Sequence, residues 1–246
     1  MSLDACLVSM SVWFLVATAA DGAYLPLLQG NSWEYRTETE SHETQIVDGF
    51  EMVFGTECSA IRYTDSTHNE GLRNFWTSES NGSVLLWGFR RPGLGYAYDP
   101  PIEMVRAPLS VGQMWQQTVD VYSYPDMQIL FEDVLFESEV VSGGMVDVPA
   151  GQFEAFQVDL KVLDAVPLEA LHGVRRSPLA GDPFDRHWWS SDVGDVQYGV
   201  SDVYRLVAFN GGPTPAAGTS WGQIKADFRV IESASDSGAQ SRGASR

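Results

Sequence analysis

The amino-acid sequence predicts an all-β protein: a strongly curved antiparallel sheet or half-open barrel with one or two short helices. Three observations carry this. Apolar and polar residues alternate with a period of two in many separate stretches, as in strands with one dry and one wet face. Clusters of Gly, Pro, Asn and Asp recur between those stretches and supply turns. No segment keeps a helical apolar period of 3.6 residues over three turns. A chain of 246 residues, 44% hydrophobic and 12% aromatic, is long enough for one sizeable core.

The elements follow in order. Trp33, Tyr35, Thr37 and Thr39 alternate with Glu34, Arg36, Glu38 and Glu40, a first strand. His42–Asp48 reads as a polar turn, and Phe50–Tyr63 as a strand interrupted at Gly55. Leu72–Ser78 and Val84–Arg90 form a pair joined by Glu79–Ser83, whose Asn81-Gly82 is a strong hairpin signal. Arg91–Pro108 holds Pro92, Gly93, Gly95, Pro100 and Pro101 and reads as a long loop: a lid, an edge cover or a crossover. Trp115–Val121 alternates again. Ile129–Val141 is the next strand, and Gly143-Gly144 is expected to turn it into the hairpin Val146–Val162. The tip of that hairpin is Pro149-Ala150-Gly151: proline fixes one backbone angle and glycine accepts a positive φ. On its return strand Phe156, Val158, Leu160 and Val162 form the dry face.

Ala165–Arg176 is the predicted helix, with Pro167 near its first turn and Gly173 near its end. Short strands at Arg186–Ser190, Val196–Tyr198 and Val203–Phe209 follow. After a Pro/Gly break at Gly211–Gly218, Ile224–Val230 forms a last strand. Glu232–Arg246 is rich in Ser, Gly and Ala and is expected to be disordered. Pro26-Leu27-x-x-Gly30-x-x-Trp33 and Pro108-Leu109-x-x-Gly112-x-x-Trp115 share one spacing. Either two related halves, 24–107 and 108–231, or two corners of independent origin explain this.

The first nineteen residues read as a signal peptide. Leu7–Val16 is apolar but short for a membrane span, and Ala17-Thr18-Ala19 is a small-x-small cleavage pattern. Asp4 and the lack of Lys or Arg before the apolar run depart from that pattern and leave an uncleaved anchor as the alternative. The expected organisation is therefore a signal at 1–19, one β domain at 20–231 and a tail at 232–246. The expected location is outside the cytoplasm, periplasmic or extracellular. Cleavage leaves Cys58 alone, so no intramolecular disulfide forms. No later run is long and apolar enough to span a membrane. With 33 acidic against 15 basic residues and a net charge of −18, the surface repels phosphate backbones, which argues against nucleic acid as a partner.

Few patterns carry chemistry. Gly218-Thr219-Ser220-Trp221-Gly222 matches the nucleophile-elbow spacing, but a loop precedes it, a strand follows it, and every histidine lies upstream. His42, His68, His172 and His187 form no ligand pair at metal-binding spacing, so no metal or cofactor is expected. Asp182, Asp185, Asp192 and Asp195 surround two turns and read as solvated carboxylates. The aromatics are the remaining signal. Trp33, Trp76, Trp87, Trp115 and Trp189 sit on or beside strands and are the candidate ligand-binding residues, against the plainer reading that they fill the core.

The Pro-Leu-x-x-Gly-x-x-Trp corners, Pro149-Ala150-Gly151-x-Phe153 and Trp189-x-x-x-Val193-Gly194-x-Val196 occur in series. In this the chain resembles a group of bacterial exported β-proteins and lipoproteins of unknown function. The resemblance spans roughly Tyr24–Phe209 and implies a fold similar to the outer-membrane lipoprotein carrier superfamily. It offers no catalytic residue, and this chain lacks a usable lipobox. The expected function is that of a non-enzymatic exported protein. Its concave aromatic face would bind a lipid or other amphipathic ligand, or a segment of an envelope protein. A hydrolase with carboxylates inside the sheet and a structural or interaction module are the alternatives.

Overall fold

The computed structural model describes residues 23–64, 69–163 and 183–211. Twelve strands make one closed antiparallel barrel. They are β1 (Ser32–Arg36), β2 (His42–Val53), β3 (Thr56–Thr64), β4 (Arg73–Ser78), β5 (Val84–Arg91) and β6 (Leu94–Val105), then β7 (Met114–Ser123), β8 (Ile129–Val148), β9 (Gly151–Val162), β10 (Pro183–Ser190), β11 (Gly194–Tyr198) and β12 (Tyr204–Asn210). Each strand pairs with the next, and β12 returns to β1, with Trp33 opposite Phe209 and Arg36 opposite Arg205. The expectation of a half-open sheet is corrected: the barrel is shut. An open curved sheet leaves two rows of unpaired amides and carbonyls, and pairing β1 with β12 removes both edges.

No helix occurs among the described residues, and none there is long and apolar enough to cross a membrane. The predicted helix at Ala165–Arg176, the strand at Ile224–Val230 and the Ser220 motif lie outside the described residues, as do the predicted signal and tail.

Three local expectations are also corrected. His42–Asp48 is strand, not turn, and the bend lies at Thr37–Ser41. Its polar residues misled because Glu43 and Gln45 face the barrel interior beside Val47, and all three are buried. Arg91–Pro108 is mostly strand β6. Leu86 pairs with Ile102 and Gly88 with Ala97, so β6 carries surplus residues in a bulge, and Pro100-Pro101 sit there without ladder partners. Gly143-Gly144 does not turn the chain. β8 runs through it, and Gly143 is small because the Phe156 ring lies where a Cβ would stand, 2.8 Å from the ring carbons. The turn comes at Pro149-Ala150, between the paired residues Val148 and Gly151.

One large apolar cluster fills the barrel and contains Trp33, Trp76, Trp115 and Trp189. The two Pro-Leu-x-x-Gly-x-x-Trp corners make the same bonds. Gly30 and Gly112 adopt φ of 90° and 84°. Gly30 N–H donates to Val47 C=O and Gly112 N–H to Val140 C=O, both at 2.9 Å. Val47 and Val140 return a bond to Asn31 and Gln113, again at 2.9 Å. Both corners lie at one end of the barrel, where Leu25, Trp33, Leu109, Trp115 and Val148 are buried.

A smaller cluster lies on the opposite, outer face of the wall. Neighbouring residues show this by parity: Ala60, Phe75 and Ala97 belong to it, whereas Ile61, Trp76 and Tyr98 face inward. The far half of the β2–β3 hairpin folds over this face, and its Val53 and Cys58 are fully buried there. Tyr124 Oη donates to Glu51 at 2.7 Å, and Arg90 lies 3.4 Å from the same carboxylate, which ties the arm down.

Candidate functional site

A polar cluster runs through the interior from Asp195, next to the Trp33 corner, to a cavity that opens towards the other end of the barrel. The strand period of two places its members. Asp185, His187 and Trp189 alternate along β10, Glu43 and Gln45 along β2, and Asn74 and Trp76 along β4. Tyr35, Tyr63, Asp195, Tyr198 and Tyr204 join them from β1, β3, β11 and β12.

His187 lies between two carboxylates. Its Nδ1 is in short contact with Asp195, and its Nε2 is 3.0 Å from Asp185 Oδ2 in an ion pair. Asp195 also accepts the Trp188 amide at 3.2 Å, and its own backbone carbonyl accepts from Tyr35 Oη at 2.7 Å. The imidazole stacks on Trp189 and Tyr198, with centroids 5.3 and 6.0 Å away. Burial opposes charge on His187, but Asp185 and Asp195 together outweigh it and hold its pKa well above the ordinary value. Burial pushes Asp195 up to about 6, with His187 pulling the other way.

Beside this group Glu43, 1% exposed, accepts from Tyr198 Oη, from Gln45 Nε2 at 3.0 Å and from Asn69 Nδ2 at 2.7 Å. Burial first, and then the nearby carboxylates, raise the Tyr35, Tyr63 and Tyr198 hydroxyls well above their ordinary range. These phenols are therefore neutral donors at any physiological pH.

The cavity beside the cluster has a volume of about 260 Å³. Leu72, Leu86 and Met104 give it an apolar wall, and Tyr63, Trp76, Tyr198 and Tyr204 an aromatic one. Asn69, Asn74, Asp185, His187 and Asp202 supply the polar side. Three buried polar atoms of this wall make no hydrogen bond: Trp76 Nε1, a donor, Asn74 Oδ1, an acceptor, and His187 Nε2, which meets Asp185 only as an ion pair. The Asn74 amide nitrogen is used, since it donates to Tyr63 Oη at 2.9 Å.

Of the five predicted tryptophans, only Trp76 lines this cavity. Trp33, Trp76 and Trp189 meet at a smaller interior void of about 30 Å³. Trp33 is committed to the structure, its indole donating to Val193 C=O at 2.6 Å. Trp115 likewise donates to Glu103 C=O at 2.9 Å, under the Arg106 guanidinium. Trp87 sits on the other face of the wall, bonded to Thr77 Oγ1 at 2.9 Å and packed against the outer cluster.

The expectation that the Asp185 and Asp195 carboxylates are solvated turn residues is corrected. Asp195 is 7% exposed and Asp185 faces the cavity, whereas Asp192 is exposed at the β10–β11 turn and Asp182 lies outside the described residues. Sequence reasoning missed Glu43, Asp185, His187, Asp195 and Tyr198. The available signal was Asp185-x-His187-x-Trp189, a carboxylate, an imidazole and an indole spaced two apart on one face of a strand. Among the described residues, no group of three or more His, Cys, Asp or Glu side chains is arranged to hold a metal ion.

The fold and site define, among the described residues, a closed antiparallel barrel with an aromatic-walled, carboxylate-bearing end cavity. No family model matches the chain, and no curated protein matches it. Two crystal structures are similar. A Bacteroides fragilis protein of YmcC-like fold, thought to be exported, is 12% identical with a TM-score of 0.46; the match covers 77% of this chain and 100% of that one. A Parabacteroides distasonis protein thought to be a lipoprotein is also 12% identical, with a TM-score of 0.32, covering 77% of this chain and 99% of that one.

Proposed function

We propose that this is an exported, non-enzymatic barrel that binds a small amphipathic molecule in its end cavity. The carrying observation is the wall itself: apolar Leu72, Leu86 and Met104 on one side, and Asn74, Asp185 and His187 on the other. Small-molecule sites combine an apolar lining with a few placed polar groups in this way. The volume of about 260 Å³ lies just below the range that holds drug-sized ligands, so the occupant is a small molecule and not a whole phospholipid. The tryptophans first expected to line a groove act mainly as core, which moves the binding surface from the sheet's length to its end.

The hydrolase reading loses support here. Of the inner carboxylates Glu43, Asp185 and Asp195, the last two are bridged by the His187 ring, which fills the gap that a substrate and water would need between them, and Glu43 is held by Tyr198, Gln45 and Asn69.

Titration with N-phenyl-1-naphthylamine, a neutral amphipathic fluorophore, tests the binding reading. Saturable emission enhancement at one equivalent is expected, with loss of that enhancement in a folded Leu72→Trp variant. No enhancement with the intact protein, and no small-molecule adduct in its native mass spectrum, would overturn it.

A further inference from the structure

We infer that the ligand of the end cavity is a small organic amine that also carries a hydroxyl or carbonyl oxygen. This rests on the binding reading above and gives the ligand its chemistry. Trp76 is the starting point. Its side chain is 6% exposed, lines the cavity, and has its only polar atom, Nε1–H, without a protein partner. Trp33, Trp87 and Trp115 bond their N–H to protein oxygens at 2.6, 2.9 and 2.9 Å, whereas Trp189, whose Nε1 is also without a partner, lines the smaller void and not this cavity. A buried indole N–H in a ligand-sized cavity selects an acceptor oxygen on the occupant.

The rest of that wall asks for the opposite. Asn74 Oδ1 is a buried acceptor without a partner, the exposed Asp202 contributes a carboxylate at the rim, and the Asp185–His187–Asp195 trio, with His187 charged between two carboxylates, keeps a net negative charge. These groups take N–H or O–H donors, and carboxylates favour a charged ammonium. The aromatic faces of Tyr63, Tyr198 and Tyr204 add a surface on which a cation is stabilised by the ring quadrupole. A net charge of −18 draws cations towards the molecule and repels anions. One unpartnered donor, one unpartnered acceptor, a rim carboxylate and an apolar-aromatic lining describe an oxygen-bearing amine with an apolar body.

Four one-ring probes separate these contributions: tyramine, phenethylamine without the hydroxyl, 4-ethylphenol without the ammonium, and anionic 3-(4-hydroxyphenyl)propionate. Each competes against N-phenyl-1-naphthylamine on the intact protein. Tyramine is expected to bind about tenfold tighter than 4-ethylphenol or phenethylamine, with the anion weakest. Trp76→Phe removes the N–H and keeps a ring, so it should bring tyramine and phenethylamine to near-equal affinity. Asp202→Asn, outside the His187 trio, should weaken tyramine and leave 4-ethylphenol unchanged.

Equal binding of tyramine and 4-ethylphenol would overturn the amine assignment, and a tyramine preference that survives Trp76→Phe would overturn the role given to its N–H. If the fluorophore binds but none of the four competes, this inference fails while the binding reading stands. If the fluorophore does not bind either, both fail.

Discussion

His187 is the residue on which the interior chemistry turns. A buried imidazolium between Asp185 and Asp195 is favoured because each carboxylate compensates the same desolvated charge. The pKa directions fix the sign of a pH effect. His187 and Asp195 both bind protons more tightly in the folded chain than in the unfolded one. Their contribution to stability is complete below the unfolded values and is lost as pH rises through the folded ones. For Asp195 the loss falls between its ordinary 3.8 and about 6, and for His187 it begins above 6.5. A thermal-melt series should therefore show Tm falling between about pH 5 and pH 8, with a flatter profile in Asp195→Asn, which removes one titrating group and weakens the charge support of the other. A Tm that rises over that interval would exclude the arrangement. The sequence carried part of this in Asp185 and His187, two apart on a strand. It could not show that Asp195 and Glu43 approach them, because strand pairing alone brings β2, β10 and β11 around one interior.

At the scale of elements, the alternating strands were legible and their interruptions were not. Proline and glycine mark turns in most contexts, yet in this barrel Pro100-Pro101 occupy a bulge and Gly143 makes room for a ring. The reason is that both residues serve any departure from an ideal ladder, not turns alone. Gly143→Ala should accordingly cost about 1–3 kcal/mol in denaturant unfolding, since its methyl meets Phe156 and Val111 together. A neutral result would mean that the Phe156 ring moves freely.

The β2–β3 arm offers a second measurement. Cys58 is fully buried beneath it, and burial pushes its thiol pKa up to about 12. Alkylation by iodoacetamide should be slow in the native protein and proceed only when the arm opens. Tyr124→Phe removes the bond to Glu51 and should speed labelling several-fold, with little change in global stability. Labelling as fast as in denatured protein would show that the arm does not hold the wall.

For the whole molecule, closure decides stability. The β1–β12 seam joins the first and last described strands, and Trp33 stacks on Phe209 across it at 5.5 Å. Such a pairing forms only after most of the barrel is in place, because its contacts are the most distant in sequence. A chain ending at Val203 lacks β12 and exposes the β1 and β11 edges, so size-exclusion chromatography should show aggregates where the full chain elutes as a discrete species. A discrete, folded truncated chain would contradict this. Sequence patterning reached the all-β class and the curvature, but closure depends on register between strands at opposite ends of the chain, which no local pattern encodes.

The two tryptophan corners have a consequence for traffic. They stop one end of the barrel with buried side chains, and the cavity lies at the other. Among the described residues the molecule is a cup and not a conduit, so an occupant of the proposed site would leave the way it entered. In the proposed role such a vessel would retain or present its contents, and residence time would depend on the rim, whose described part includes Leu72 and the Gly199–Tyr204 connection.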